Sequence, residues 1–306
     1  MELLLPVSRA LQLNAGLLHP EQNQVLMRNH LLTAIAVVTV LLAGIVVLYF
    51  LLEQVTEFFD EAGLTTFAML SDTSLAIVVY ISVRIINRRL NGLSARQYGF
   101  DFSNTVRSFF TGITFATGFF TATLVFACLA GIACTELTGP ENDWTVAFQF
   151  IIATLVVGAW EEFYFRGLLV NTLLAKKVSI VWTALISSTL FTATHVFSYD
   201  MDTITPFWAI GVFILSIILF YLYIVTRSIW APVGFHFFWN LLFSLPDPEV
   251  NELGLLTVEN YGARAVQLDN ITIAITGIVL VLFMFFGRTW IRARIDLYQN
   301  KLSGDV

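Results

Sequence analysis

Eight apolar runs, at about residues 31–52, 67–87, 109–134, 145–175, 178–198, 206–226, 229–245 and 271–290, dominate the chain. Each approaches or exceeds the roughly 20 residues an α-helix needs to cross the hydrocarbon core of a bilayer. Hydrophobic residues make up 57% of the 306 positions, against about 45 to 50% in soluble domains. Strict alternation of apolar and polar residues over ten-residue stretches is absent, which argues against an outer-membrane barrel. The expected fold is all-α: a polytopic membrane bundle of about eight transmembrane helices.

Charge placement predicts the orientation, because basic residues in short loops gather on the cytoplasmic side. With the N-terminus inside, Arg9, Arg28, Arg84, Arg88, Arg89, Arg96, Arg107, Lys176, Lys177, Arg227, Arg288, Arg292, Arg294 and Lys301 all face the cytoplasm; they are 14 of the 16 Lys and Arg. The opposite loops collect 15 of the 22 acids, from Glu53 to Asp72, Glu136 to Asp143, Asp200 and Asp202, and Asp247 to Asp269. Both termini are thus expected in the cytoplasm. The net charge of −6 averages two unlike faces, and no feature supports nucleic-acid binding.

No repeat and no long linker divides the chain, so one membrane domain is expected over residues 31–290. Residues 1–30 form an N-terminal segment, with Val25, Leu26 and Met27 suited to an interfacial helix, and residues 291–306 form a basic tail. The opening MELLLPVSRALQL lacks a basic n-region and is broken by Pro6, unlike a cleavable signal peptide, so the first span is expected to remain as an anchor. The long external loop carries Leu253, Leu255 and Leu256 between acids, suggesting a short surface helix or a lid. Cys128 and Cys134, six residues apart in the third run, read as small packing residues.

Against this background five ionisable residues stand out, since a charge in lipid costs about 2.5 to 3.5 kcal/mol even on the lenient insertion scale. They are Glu161, Glu162 and Arg166 in the fourth run, His195 in the fifth and His236 in the seventh. Helical residues four apart share a face, so Glu162 can pair with Arg166, Phe191 can orient His195, and His236 can share a cavity with Asn240. Glu161 points about 100° away from Glu162 and stays free. At about 1.5 Å per residue, Glu161 and His195 lie about 21 and 26 Å from the cytoplasmic ends of their spans, while His236 lies about 10 Å from its own. The fold has to absorb that difference in depth.

A desolvated carboxylate, two imidazoles and an amide suit hydrolysis. Glu161 would act as general base toward a water with help from His195, and His236 with Asn240 would donate to the oxyanion of the tetrahedral intermediate. Neither a GxSxG elbow nor an HExxH helix is present.

In order along the chain these residues read EExxxR (Glu161, Glu162, Arg166), FxxxH (Phe191, His195) and HxxxN (His236, Asn240). The pattern, over about residues 145–245, resembles the CAAX prenyl endopeptidase and bacteriocin-processing (CPBP, abortive-infection) family of intramembrane glutamic proteases. The resemblance implies an eight-helix endopeptidase in which Glu161 and His195 activate water without a cofactor, His236 and Asn240 form the oxyanion site, and Glu162, Arg166 and Phe191 support them. It implies a membrane-embedded or lipidated protein or peptide as substrate, in the plasma membrane of a prokaryote or the endoplasmic reticulum of a eukaryote.

Three alternatives stay open on the residues alone. Glu161, His195 and His236 form a His₂Glu set able to hold zinc and leave a position for water. A noncatalytic membrane scaffold or bacteriocin-immunity factor would use the buried charges only to fix helix register. A proton-coupled transporter would also place Glu and His in the membrane, although neither paired halves nor broken helices are visible in the sequence.

Overall fold

The structure, a computed structural model, describes residue 44 and residues 61–131, 135–137, 144–198, 206–244, 256–258, 271–275 and 277–278. Apart from the helical Gly44, the 31–52 run, the N-terminal 1–30 segment, most of the 271–290 run and the 291–306 tail lie outside the described residues, as do Leu253, Leu255 and Cys134.

The chain is a polytopic bundle of helices. We label them α1 (Glu61–Arg89), α2 (Thr105–Leu129), α3 (Trp144–Glu162), α4 (Asn171–Ala175), α5 (Ile180–Ser198), α6 (Pro206–Thr226) and α7 (Trp230–Ser244). Among the described residues, four stretches are long and apolar enough to cross a membrane: Leu70–Arg89, Phe102–Leu129, Phe148–Ala175 and Pro206–Thr226, with Ile180–Val196 shorter. Their boundaries follow backbone chemistry. Pro206 opens α6 and Pro232 lies in the first turn of α7, where the N–H that proline lacks has no helical partner to lose. Single left-handed residues, Lys177 at φ 61° and Arg227 at φ 54°, close the tight turns after α4 and α6.

Two departures from sequence expectation bear on the external loops. Thr135–Leu137 (β1) pairs antiparallel with Leu256–Val258 (β2), so Leu256 belongs to a short strand rather than to a surface helix. Backbone pairing between two loops satisfies groups that neither could satisfy alone. α2 stops at Leu129, and Cys128 is exposed rather than packed, on a helix whose outward positions Val125, Phe126 and Leu129 are exposed and apolar as well.

The 145–175 run is not one continuous α-helix. Between α3 and α4 lies a π-helical segment, Phe163–Val170, entirely buried. Its widened turns bond i to i+5 and leave backbone carbonyls to outside donors. The Asn171 carboxamide donates to the Arg166 and Gly167 carbonyls at 2.9 Å each, and Asn87 of α1 donates to the Gly167 carbonyl at 2.7 Å. Asn87 in turn accepts from Asn91, which also donates to Thr172, and the Tyr223 hydroxyl of α6 lies 2.8 Å from Asn171 Nδ2. α1 and α6 are thereby latched to the widened segment.

The depth mismatch resolves at α7. With 15 residues, this helix is about 22 Å long, well short of a bilayer core. The segment between α1 and α2 lies against its start: the Ile229 N–H donates to the Gly99 carbonyl at 3.0 Å, and Leu93, Tyr98 and Phe100 are buried in the main core. The Trp230 ring meets Phe163 at 5.9 Å and Phe100 at 6.3 Å, so α7 begins level with the residue after Glu162. Gly99 is required there. It holds φ +87°, and a Cβ would lie 2.7 Å from the Tyr223 ring and 3.2 Å from the Ile229 nitrogen.

α7 is seated against α2 by a close backbone crossing of the kind that small residues permit in membranes. A Cβ on Gly112 would collide with the Ala231 carbonyl, and one on Gly234 with the Phe109 carbonyl. Phe119 packs edge-on to Phe235 beside this crossing.

Candidate active site

α3 ends at Glu162, and its last two residues point into the bundle with little or no exposure: Glu161 is 9% exposed, Glu162 0%. Arg166, also at 0%, folds back one turn so that Nη1 donates to Glu162 Oε1 at 2.8 Å, the pair expected from their spacing. The same guanidinium donates through Nη2 to the carbonyl and the hydroxyl of Ser216 on α6, both at 2.9 Å. A buried guanidinium needs acceptors of this kind, because desolvation without partners costs several kcal/mol.

Glu162 Oε1 also meets His236 Nδ1 of α7 at 2.9 Å. A carboxylate accepts, so His236 Nδ1 carries the proton and its Nε2 is turned the other way. That Nε2 lies 3.7 Å from Glu161 Oε2. His195, on α5, is fixed in a parallel manner: Nδ1 sits 2.8 Å from the Phe191 carbonyl, which can only accept, and Nε2 lies 3.8 Å from the same Glu161 oxygen. Two imidazole Nε2 atoms therefore flank one carboxylate oxygen at distances too long for direct hydrogen bonds and suited to a bridging water. Glu161 Oε2, Glu162 Oε2 and Arg166 Nε have no hydrogen-bond partner among the described residues.

Phe191 is the hub beneath this cluster. Fully buried, it lies 4.4 Å from the His195 ring, 5.8 Å from the His236 ring and 4.9 Å from the Arg166 guanidinium carbon. One side chain thus limits the motion of both imidazoles and adds a cation–π contact to the arginine. Asn240 lies one turn beyond His236 on α7, half-buried. Its carboxamide makes none of the hydrogen bonds found among the described residues, leaving it available to a ligand.

Three helices and the π segment hence bring Glu161, Glu162, Arg166, Phe191, His195 and His236 together, with Asn240 nearby. Sequence reasoning missed Ser216, whose signal was weak: a lone hydroxyl in the very apolar FILSIILF of α6. It also missed Asn171 and Tyr223. Asp72, which the charge pattern assigns to an external loop, sits half-buried on α1, where its carboxylate interacts with that of Glu161. As a metal site the geometry is loose: ligand atoms about 2.0 to 2.1 Å from a tetrahedral zinc are about 3.3 Å apart, less than the 3.7 and 3.8 Å seen. No set of three ligands among the described residues meets metal-site spacing.

The sequence around this cluster matches a known family. The model of the type II CAAX prenyl endopeptidase Rce1-like family matches residues 143–242. This stretch is similar to the CAAX protease family. No curated protein and no solved structure matches the chain significantly. The matched stretch holds every residue of the cluster just described except Asp72, and the family it is similar to is one of endopeptidases. With helices long and apolar enough to cross a membrane, the chain is an integral membrane protein whose residues 143–242 are similar to that endopeptidase family.

Proposed function

We propose that the chain hydrolyses a peptide bond of a membrane-embedded or lipidated substrate with a water activated by Glu161. The observation that carries this reading is the Glu161 oxygen without a hydrogen-bond partner, flanked by two Nε2 atoms at 3.7 and 3.8 Å. A water there donates to Glu161 and to His195 Nε2, whose lone pair is presented by the Nδ1–H bond to Phe191. Glu161 takes a proton as the water oxygen attacks the scissile carbonyl. It then returns that proton to the leaving amine as the carbon–nitrogen bond breaks.

The oxyanion would be held by His236 and Asn240. His236 Nδ1–H is committed to Glu162, so donation from Nε2 requires the doubly protonated ring. Glu162, shared between Arg166 and His236, holds that imidazolium in place.

A second reading keeps the site and adds zinc on Glu161, His195 and His236. It is favoured by one feature: both Nδ1–H groups are tied to oxygen acceptors, as the outer nitrogens of metal-bound histidines commonly are. Such a metal would draw the three ligand atoms together by a few tenths of an ångström and supply a bound hydroxide.

The test is cleavage by the purified chain, reconstituted in liposomes, of matched membrane-anchored peptides with and without a C-terminal prenyl group, products being mapped by mass spectrometry. Scission at one peptide bond is expected, and a preference for the prenylated member would carry the family's substrate class to this chain. If no peptide is cut while the protein remains folded, the hydrolytic reading fails and a scaffold role takes its place.

A further inference from the structure

Away from the catalytic cluster, the end of α1 and the segment that follows it enclose a cavity of about 690 Å³. Its rim carries Arg84, Arg88 and Arg89, and its wall includes Ile85, Leu93 and Tyr98; among the described residues no acidic one lines it. Arg84 and Arg88, four apart, stand on one helix face, where like charges repel. Arg84 is held by the Tyr80 hydroxyl at 3.0 Å and over the Tyr80 ring. None of the three arginines has a salt-bridge partner among the described residues, whereas nearby Arg96 is paired with Asp101 at 2.7 Å.

Three guanidiniums on one rim, with no acidic partner among the described residues, are held against their own repulsion, and an anion would remove that penalty. Phosphate is an anion whose geometry a guanidinium fork matches with two parallel hydrogen bonds. The setting adds a second requirement. The cavity adjoins the exposed apolar face of α1, where Ile77, Ile81 and Ile85 are each about half exposed, on the side that the charge pattern assigns to the cytoplasm. A ligand resting there has a charged head at the arginines and apolar chains along the isoleucines. Basic pockets at this level of a membrane protein suit anionic lipid headgroups.

We infer that this cavity binds the phosphate of an anionic membrane phospholipid, with Arg84, Arg88 and Arg89 on the headgroup and Ile85 beside the acyl chains. The inference does not depend on the catalytic reading.

The test uses the full chain in a neutral detergent, following its thermal midpoint during titration with short-chain phosphatidylglycerol, short-chain phosphatidylcholine or inorganic phosphate. A ligand that binds only the folded protein raises the midpoint saturably. Phosphatidylglycerol is expected to do so, phosphatidylcholine not, and inorganic phosphate only at concentrations at least tenfold higher. The Arg84→Gln/Arg88→Gln/Arg89→Gln variant should need at least tenfold more phosphatidylglycerol, while Arg107→Gln, exposed and outside the cavity, should titrate as wild type does. Should the triple variant fail to fold, Arg88→Gln alone is read, with a threefold or greater shift expected. An equal response to phosphatidylcholine, an unchanged titration in the arginine variants, or an equal loss in Arg107→Gln would overturn the site. Inorganic phosphate as effective as the lipid would overturn its assignment to a lipid.

Discussion

Replacing Arg166 by Met tests what holds the buried polar cluster together. The guanidinium is fully buried and makes three hydrogen bonds, one to Glu162 and two to Ser216. Its removal leaves the Glu162 carboxylate, also at 0% exposure, with His236 as its one remaining partner among the described residues. Deleting one member of a buried pair costs about 3 to 5 kcal/mol, and no solvent screening reduces that figure here. Glu162→Leu/Arg166→Met removes both charges and keeps the volume. The orphaned His236 Nδ1–H and Ser216 hydroxyl then remain as a cost, each about 1 kcal/mol or somewhat more. The double variant should therefore be more stable than Arg166→Met by about 1 to 3 kcal/mol while staying inactive, because His236 has lost the acceptor that orients it. Unfolding in mild detergent titrated with a denaturing one gives the stabilities, and peptide cleavage gives the activity. A loss below about 1 kcal/mol in Arg166→Met would refute the reasoning, as would a double variant no more stable than the single one.

Other substitutions probe the remaining parts. Asn240→Ala should lower kcat by about 10² to 10³, the usual effect of losing one oxyanion donor, with KM nearly unchanged in steady-state cleavage. Phe191→Leu removes the ring that packs on His195, His236 and Arg166; a loss of about 1 to 3 kcal/mol in stability is expected, together with a fall in kcat in the same preparation. Gly234→Ala drives a methyl group into the Phe109 carbonyl, so α2 and α7 must separate; thermal unfolding should show destabilisation by about 1 to 3 kcal/mol. Gly99→Ala combines positive φ with a contact at 2.7 Å to the Tyr223 ring and should destabilise by a similar amount, whereas Gly118→Ala, with open space around it, should not.

The membrane class and the residues of the buried polar cluster were legible in the sequence because both are anomalies of composition. Apolar runs near 20 residues announce spans, and a charge inside such a run has to be matched or used. That logic reached Glu161, Glu162, Arg166, His195 and His236, and helix periodicity gave the Glu162–Arg166 pair and the Phe191–His195 contact. What stayed hidden depends on long-range packing. NGLSARQYGF reads as a polar basic loop, yet Tyr98 and Phe100 are buried because α7 starts deep and leaves space beneath it. Asn171 and Asn87 look like ordinary polar residues near span ends until the π segment frees the carbonyls they serve. Cys128 was expected in the core because free cysteines often are buried, but in a bilayer an outward-facing thiol meets lipid rather than water.

The central claim is that Glu161 is the base. Its most direct test is the single substitution Glu161→Gln, which keeps shape and removes the proton acceptor. Single-turnover cleavage by variant and wild type would be compared in liposomes, with bound metal quantified in both and the wild type repeated after chelation. The account predicts a rate loss of about 10² to 10⁴ in the variant, an unchanged wild-type rate after chelation, and no stoichiometric metal. Cleavage by Glu161→Gln within tenfold of wild type would contradict it, and activity that disappears with chelator and returns with zinc would transfer the water to a metal.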